Sequence, residues 1–157
     1  NQEKLEISTE NIVLMGHSAG AFNVMSAVYH PKPNTIQCLG NIKAIFGLAG
    51  PYHFDYKGDP LAEDAFDQSI SYKEVMPYYF VNQNHIKHYL LMAENDQLVK
   101  KENTFDLDQA LRQSGNHSHI AVIPKTGHIT ILASLSSFVS HYFRTKRTIL
   151  HFLDEVF

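Results

Sequence analysis

One serine, Ser18, stands between two glycines in Gly16-His17-Ser18-Ala19-Gly20, directly after the apolar run Ile12-Val-Leu-Met15. A serine hydroxyl is a weak nucleophile until a base takes its proton, so chemistry at Ser18 needs a histidine, and an acid to orient it, from elsewhere in the chain. Two stretches supply candidates: Leu90-Leu-Met-Ala-Glu-Asn-Asp96 carries an apolar run into a carboxylate, and Lys125-Thr-Gly-His128 follows another such run. The spacing G-x-S-x-G, with a strand before and a helix after, fits a nucleophile elbow. Its strained backbone exposes the hydroxyl, and the flanking positions are expected to need glycine because strand and helix approach closely there. The same turn aims the first helical amides at one point, which makes the Ala19 N–H the candidate oxyanion donor. A phosphate-binding turn is the competing reading, but neither a Lys-Ser/Thr pair nor a G-x-G-x-x-G spacing follows.

Chain order selects among ten histidines. An elbow serine is followed by an acid after a later strand and by a histidine after the last strand, which picks Asp96 and then His128. Glu94 and Asp106 are fallback acids. Asp96 as a plain N-cap or Asx-turn residue, and His128 as a solvent-exposed loop histidine, are the readings without catalysis. His117 and His119 are expected to precede the last strand, at the wrong end of the sheet. His17 flanks the serine and is expected to shape the pocket, so it joins Tyr52 as a candidate substrate-binding residue. Tyr78 and Tyr79 read as core or pocket wall. Neither His85 with His88 nor His117 with His119 has a convincing metal spacing, and a serine, histidine and acid need no metal or cofactor.

These residues need a scaffold that brings them to one rim. Four short, nearly continuous apolar runs are strand candidates: Ile12 to Gly16, Ala44 to Gly50, Tyr89 to Ala93 and Ile120 to Pro124. Continuous rather than alternating runs belong to strands covered on both faces, so the fold class is α/β with a parallel sheet flanked by helices. Ala21, Val24, Met25 and Val28 recur at helical spacing until His30-Pro31 stops them, and a second helix runs from about Lys101 to Ser114 with Gly115 as its cap. Ile149, Phe152, Leu153 and Val156 mark a closing helix. The segment from Tyr52 to Phe80, rich in Asp, Tyr and Pro, is expected to form short helices and loops above the strand ends, where open α/β sheets bind substrates.

Composition bounds the rest. With 157 residues, 44% of them hydrophobic and 18% charged, the chain suits one globular domain over 1–157. A net charge of −3 leaves no electrostatic footprint for nucleic acid, and no apolar run approaches the roughly 18 residues of a membrane span. The polar first residues do not read as a signal peptide, and the lone Cys38 rules out an internal disulfide. A reducing compartment is therefore allowed, and a cytoplasmic location is favoured.

With these residues in place, the chain resembles the C-terminal part of an α/β-hydrolase fold carboxylesterase, of the group that includes BD-FAE-like esterases and kynurenine formamidases. Asn11 to Ala21 resembles the nucleophile strand and elbow, and Leu48-Ala-Gly-Pro-Tyr-His-Phe54 the "GPYDF" turn. Leu90 to Val99 resembles the acid-bearing "LLLHGxxDxxV" segment, and Gly127-His-Ile-Thr-Ile131 the histidine loop. The resemblance implies Ser18 as nucleophile, Asp96 as orienting acid and His128 as general base, acting on a small-molecule carboxylic ester. An amidase or formamidase with the same three residues, and a non-catalytic interaction module, are the alternatives. The chain departs from the pattern at His53, where the group often has Asp, and at Ala93, where it often has Gly.

Members of that group carry several strands and an H-G-G oxyanion loop ahead of the elbow, whereas here only about one short helix precedes it. The resemblance therefore implies a partial domain, a fragment or truncated product whose N-terminal strands are missing. The strand Ile12 to Gly16 is then an exposed apolar edge, and self-association across it is the alternative way to cover it. Loss of one oxyanion donor costs about 10²–10³ in turnover, so feeble activity of this chain alone is expected.

Overall fold

A computed structural model describes residues 2–31 and 38–157. Four parallel strands, β1 (Ile12–His17), β2 (Ile42–Leu48), β3 (Lys87–Ala93) and β4 (Ser118–Ile123), form one sheet in the order β1-β2-β3-β4. The register sets Gly16 beside Gly47, Leu48 beside Leu91, and Leu91 beside Ala121, so the carboxyl ends of all four strands share one rim. The helices are α1 (Gln2–Leu5), α2 (Ala19–Tyr29), α3 (Glu102–Gln113), α4 (His128–Ala133) and α5 (Thr145–Val156).

The central strands β2 and β3 are buried on both faces, which is why their sequences are nearly continuously apolar. On one face Phe46, Leu48, Tyr89, Leu91 and Ile123 pack with Ile131 of α4 and with Ile149 and Phe152 of α5. On the other, Ile45 and Leu90 pack with Ala21, Met25 and Tyr29 of α2 and with Leu107 and Leu111 of α3. Each Leu, Ile or Phe so buried stabilises the fold by about 1.5–3 kcal/mol relative to exposure. The helix boundaries follow from local chemistry. His30 turns to an extended backbone ahead of Pro31 and ends α2, and Gly115 at φ +80 follows α3, its N–H donating to the Arg112 carbonyl.

The three later strands begin two residues before the apolar runs do: β3 and β4 open on polar pairs, Lys87-His88 and Ser118-His119, and in β2 Lys43 separates Ile42 from the rest of the run. His88 is wholly buried in β3 yet bonded at both ring nitrogens. His119, expected ahead of the last strand, lies inside β4. The segment from Tyr52 to Phe80 is irregular as expected, with 3₁₀ turns at Tyr72–Glu74 and Pro77–Phe80. Its Tyr56, Ala62 and Met76 form a third cluster with Phe22, Phe54 and Phe66. Helix α4 has no counterpart among the elements expected from the sequence, and its six residues bury only Ile131 fully. Strand β1 is a sheet edge among the described residues, with Met15 52% exposed.

Candidate active site

Ser18 sits in the turn between β1 and α2 at φ 54 and ψ −123, a conformation that costs a non-glycine residue about 1–3 kcal/mol. The turn is held by its own backbone: the Ser18 N–H donates to the Leu48 carbonyl of β2 at 2.9 Å, and the Ser18 carbonyl accepts from Ala21 and Phe22. Gly16 is required there, since a Cβ would run into the Gly20 carbonyl. Gly20 is different. A Cβ on it meets nothing within 4 Å, so the expectation that crowding demands both glycines is corrected for the second.

Asp96 follows β3, and His128 follows β4 as the first residue of α4. The His128 Nε2 lies 2.8 Å from Ser18 Oγ, and its Nδ1 lies 2.9 Å from Asp96 Oδ2. A carboxylate only accepts, so Nδ1 carries the proton and Nε2 is the acceptor for the serine hydroxyl. Side chains at both ends are well shielded, His128 at 11% and Asp96 at 9% exposure. Asp96 is an Asx-turn residue as well: its Oδ1 accepts the Leu98 and Val99 N–H groups at 2.9 and 3.0 Å, leaving Oδ2 for the imidazole. The two readings of Asp96 from sequence are therefore not exclusive.

Backbone bonds tie the two loops together. The Asn95 N–H donates to the Thr126 carbonyl at 2.8 Å, and the Lys125 N–H to Glu94 Oε2 at 2.8 Å. Glu94, one fallback acid, is thus a loop brace. The other, Asp106, accepts from His53 Nδ1 at 2.6 Å, and His53 Nε2 accepts from the Tyr79 hydroxyl at 2.9 Å. Tyr78 stacks on the same imidazole at 3.9 Å, and Asn103 Oδ1 accepts the His53 N–H.

A cavity of about 620 Å³ opens on Ser18, Ala19 and His128, walled by Phe22, Phe54, Leu61 and Phe66 and edged by Asp55, Asp59 and Lys100. A smaller one of about 290 Å³ touches Asp96 from behind but reaches neither Ser18 nor His128. Ala19, the first residue of α2, lines the larger cavity beside Ser18.

Neither proposed substrate-binding residue lines it. Tyr52 is wholly buried, its ring folded under Gly47 and Gly50 and its hydroxyl without a partner; burial pushes that phenol's pKa up. His17 turns its ring away, with Nε2 2.7 Å from the His128 carbonyl. The wall residues Phe22, Phe54 and Phe66 were missed, although Phe54 closes the quoted turn motif. Among the described residues no three His, Cys, Asp or Glu side chains gather to hold a metal ion, and no helix is long and apolar enough to cross a membrane.

The prolyl oligopeptidase family matches residues 1–157. Among solved structures, Thermogutta terrifontis esterase 2 with propionate bound superposes at a TM-score of 0.68 and 18% identity, covering 92% of this chain and 56% of that one. The apo form of the same esterase gives 0.68 at 16% identity, covering 93% and 54%, and its tabun adduct gives 0.68 at 17%, covering 92% and 55%. No curated protein sequence matches significantly. The chain thus spans little more than half the length of these esterases, and the likeness shows the fold: a partial α/β-hydrolase, as the sequence resemblance implies.

Proposed function

The chain belongs to the prolyl oligopeptidase family, and from that premise we propose that it is a serine hydrolase cleaving small carboxylic esters through an acyl-enzyme on Ser18. The observation that carries this reading is the continuous hydrogen-bonded line from Ser18 Oγ through His128 to Asp96, at 2.8 and 2.9 Å, built from three separate loops at one rim of the sheet. Ser18 Oγ attacks the ester carbonyl while His128 Nε2 takes its proton. The same imidazole then protonates the departing alkoxide as the carbon–oxygen bond breaks. Water, deprotonated by His128, then adds to the acyl carbonyl; the bond to Ser18 Oγ breaks, His128 returns the proton to that oxygen, and the acid leaves. Asp96 holds the Nδ1–H tautomer, and the Ala19 N–H donates to the developing oxyanion.

The aromatic wall of the cavity supports an apolar acyl or alcohol group, and the propionate in the structurally similar esterase supports a short acyl chain. Amide cleavage by the same residues is the second reading, favoured by the name of the family itself.

Intact-mass detection of a fluorophosphonate adduct tests the proposal. The wild-type chain is expected to gain one adduct, Ser18→Ala none, and His128→Ala an adduct at least about 10²-fold more slowly. A folded wild-type chain that gains no adduct overturns the proposal for this chain and leaves an interaction module. Paired p-nitrophenyl esters and anilides then separate ester from amide preference.

A further inference from the structure

His17 is the last residue of β1 and the immediate neighbour of Ser18, yet its ring serves neither the cavity nor a proton path. Its Nε2 lies 2.7 Å from the His128 carbonyl, and the two imidazoles sit 4.8 Å apart, inclined at 46°. A carbonyl cannot donate, so Nε2 must carry the proton. Burial, the largest influence on this ring, lowers its pKa and favours the neutral form, with the bond to the carbonyl opposing.

Among the described residues, the other backbone hydrogen bonds that tie the loop presenting His128 to a different segment run to one side. The Asn95 N–H to Thr126 carbonyl bond and the Lys125 N–H to Glu94 bond both tie it to the segment carrying Asp96. They set the His128–Asp96 distance and leave the His128–Ser18 distance to other contacts. On the Ser18 side, the bond from His17 reaches the backbone of His128 itself.

We propose that His17 is a positioning residue: its Nε2–H, donated to the His128 carbonyl, anchors the base to the end of β1 and so sets the reach between His128 Nε2 and Ser18 Oγ. The proposal rests on reading Ser18 and His128 as nucleophile and base. Errors of about 1 Å in such pairs cost about 10²-fold in rate, so one bond in this place is enough to matter.

Two substitutions separate the donor from the ring. His17→Gln keeps an N–H at a similar reach, whereas His17→Phe keeps a planar ring and no donor; His17→Asn, whose amide falls short of the carbonyl, stands in if the Phe variant does not fold. The first measurement needs no turnover: the ¹⁵N resonance of His128 Nε2, compared with and without Ser18→Ala in each background. Removing the hydroxyl is expected to move that resonance in the wild type and in His17→Gln, and to move it much less in His17→Phe or His17→Asn. The second is the fluorophosphonate rate, expected within about threefold of wild type for Gln and lowered about 10- to 100-fold for Phe or Asn.

A His128 resonance indifferent to Ser18→Ala in the wild type overturns the nucleophile–base reading, and the inference with it. A response equally large in all backgrounds with equal labelling rates, or a Gln variant as impaired as Phe, overturns the positioning role alone.

Discussion

Asp96 shows how one side chain serves two masters at the residue scale. Oδ1 holds the turn through the Leu98 and Val99 amides, and Oδ2 holds the imidazole. Asp96→Asn can keep the first and not the second, since an amide NH₂ facing Nδ1 forces the imidazole into the opposite tautomer and takes the acceptor away from Ser18. We expect Asp96→Asn to leave the urea midpoint almost unchanged while slowing fluorophosphonate labelling by up to about 10⁴-fold, the size of the corresponding change in a serine protease. Labelling at the wild-type rate counts against the role of Asp96.

The line Asp106–His53–Tyr79 has the same connectivity, but it ends on a phenol whose pKa burial pushes up to about 12, the reverse of an activated nucleophile. It clamps the cavity-wall loop to α3. Asp106→Ala is therefore expected to lower stability by about 1 kcal/mol, read in urea, and to leave Ser18 labelling within about threefold. The difference between the two lines was only partly legible in the sequence. Ser18, Asp96 and His128 follow a local motif and a chain order, whereas His53 and Asp106 meet across 53 positions with no motif to announce them. Tyr52 misled because a tyrosine in a glycine-rich turn reads the same whether its ring faces a cavity or folds under the sheet.

At the scale of elements, the two glycines of the turn make opposite predictions. Gly16 belongs to β1 and Gly20 to the first turn of α2, and the space available to a Cβ differs completely. At Gly16 the obstacle is the backbone of Gly20, which cannot swing aside, so Gly16→Ala is expected to cost upwards of about 2 kcal/mol and to disturb labelling through the displaced turn. Gly20→Ala places a methyl in open space on a helix and is expected to stabilise by about 0.5–1 kcal/mol. Denaturation of the two variants side by side checks both, and a Gly20→Ala loss as large as that of Gly16→Ala contradicts the geometry. A glycine pair written in a motif does not reveal which member is there for sterics. The strands were legible for a plainer reason: burial of β2 and β3 on both faces writes itself as a nearly continuous apolar run, and the outer strands β1 and β4 carry similar runs although Met15 and Val122 are each 52% exposed. Helix α4 was not, because six residues complete less than two turns and leave no period to read.

The whole molecule is held at the end of the sheet opposite the candidate site by a buried polar junction. His88 of β3 accepts from the Tyr29 hydroxyl of α2 at 2.7 Å and donates Nδ1–H to the His117 carbonyl at 3.0 Å, while Asn84 donates to the same Tyr29 oxygen at 2.9 Å. Both ring nitrogens are committed in the neutral form, and protonation would bury a charge while removing the acceptor that Tyr29 needs. Burial accordingly lowers the His88 pKa to about 4, with the bond to the His117 carbonyl opposing. The sign follows from linkage: in the unfolded chain a histidine titrates near 6.5, so between that value and about 4 the unfolded state binds the proton more readily. The contribution is complete above about pH 6.5, falls as the pH drops, and levels off below about 4. The depressed pKa of His17 acts in the same direction. For His88 the total is about 3 kcal/mol, a large share of the 5–15 kcal/mol typical of a whole domain. Urea midpoints measured from pH 7 down to 4 should show this decline in the wild type and a decline shallower by about that amount in His88→Gln. Equal slopes for the two proteins contradict the assignment. A matched pair also separates two causes of inactivation at low pH, because His88 is remote from Ser18: labelling lost in step with the urea midpoint reports unfolding, and labelling lost while the fold persists reports protonation at the site itself.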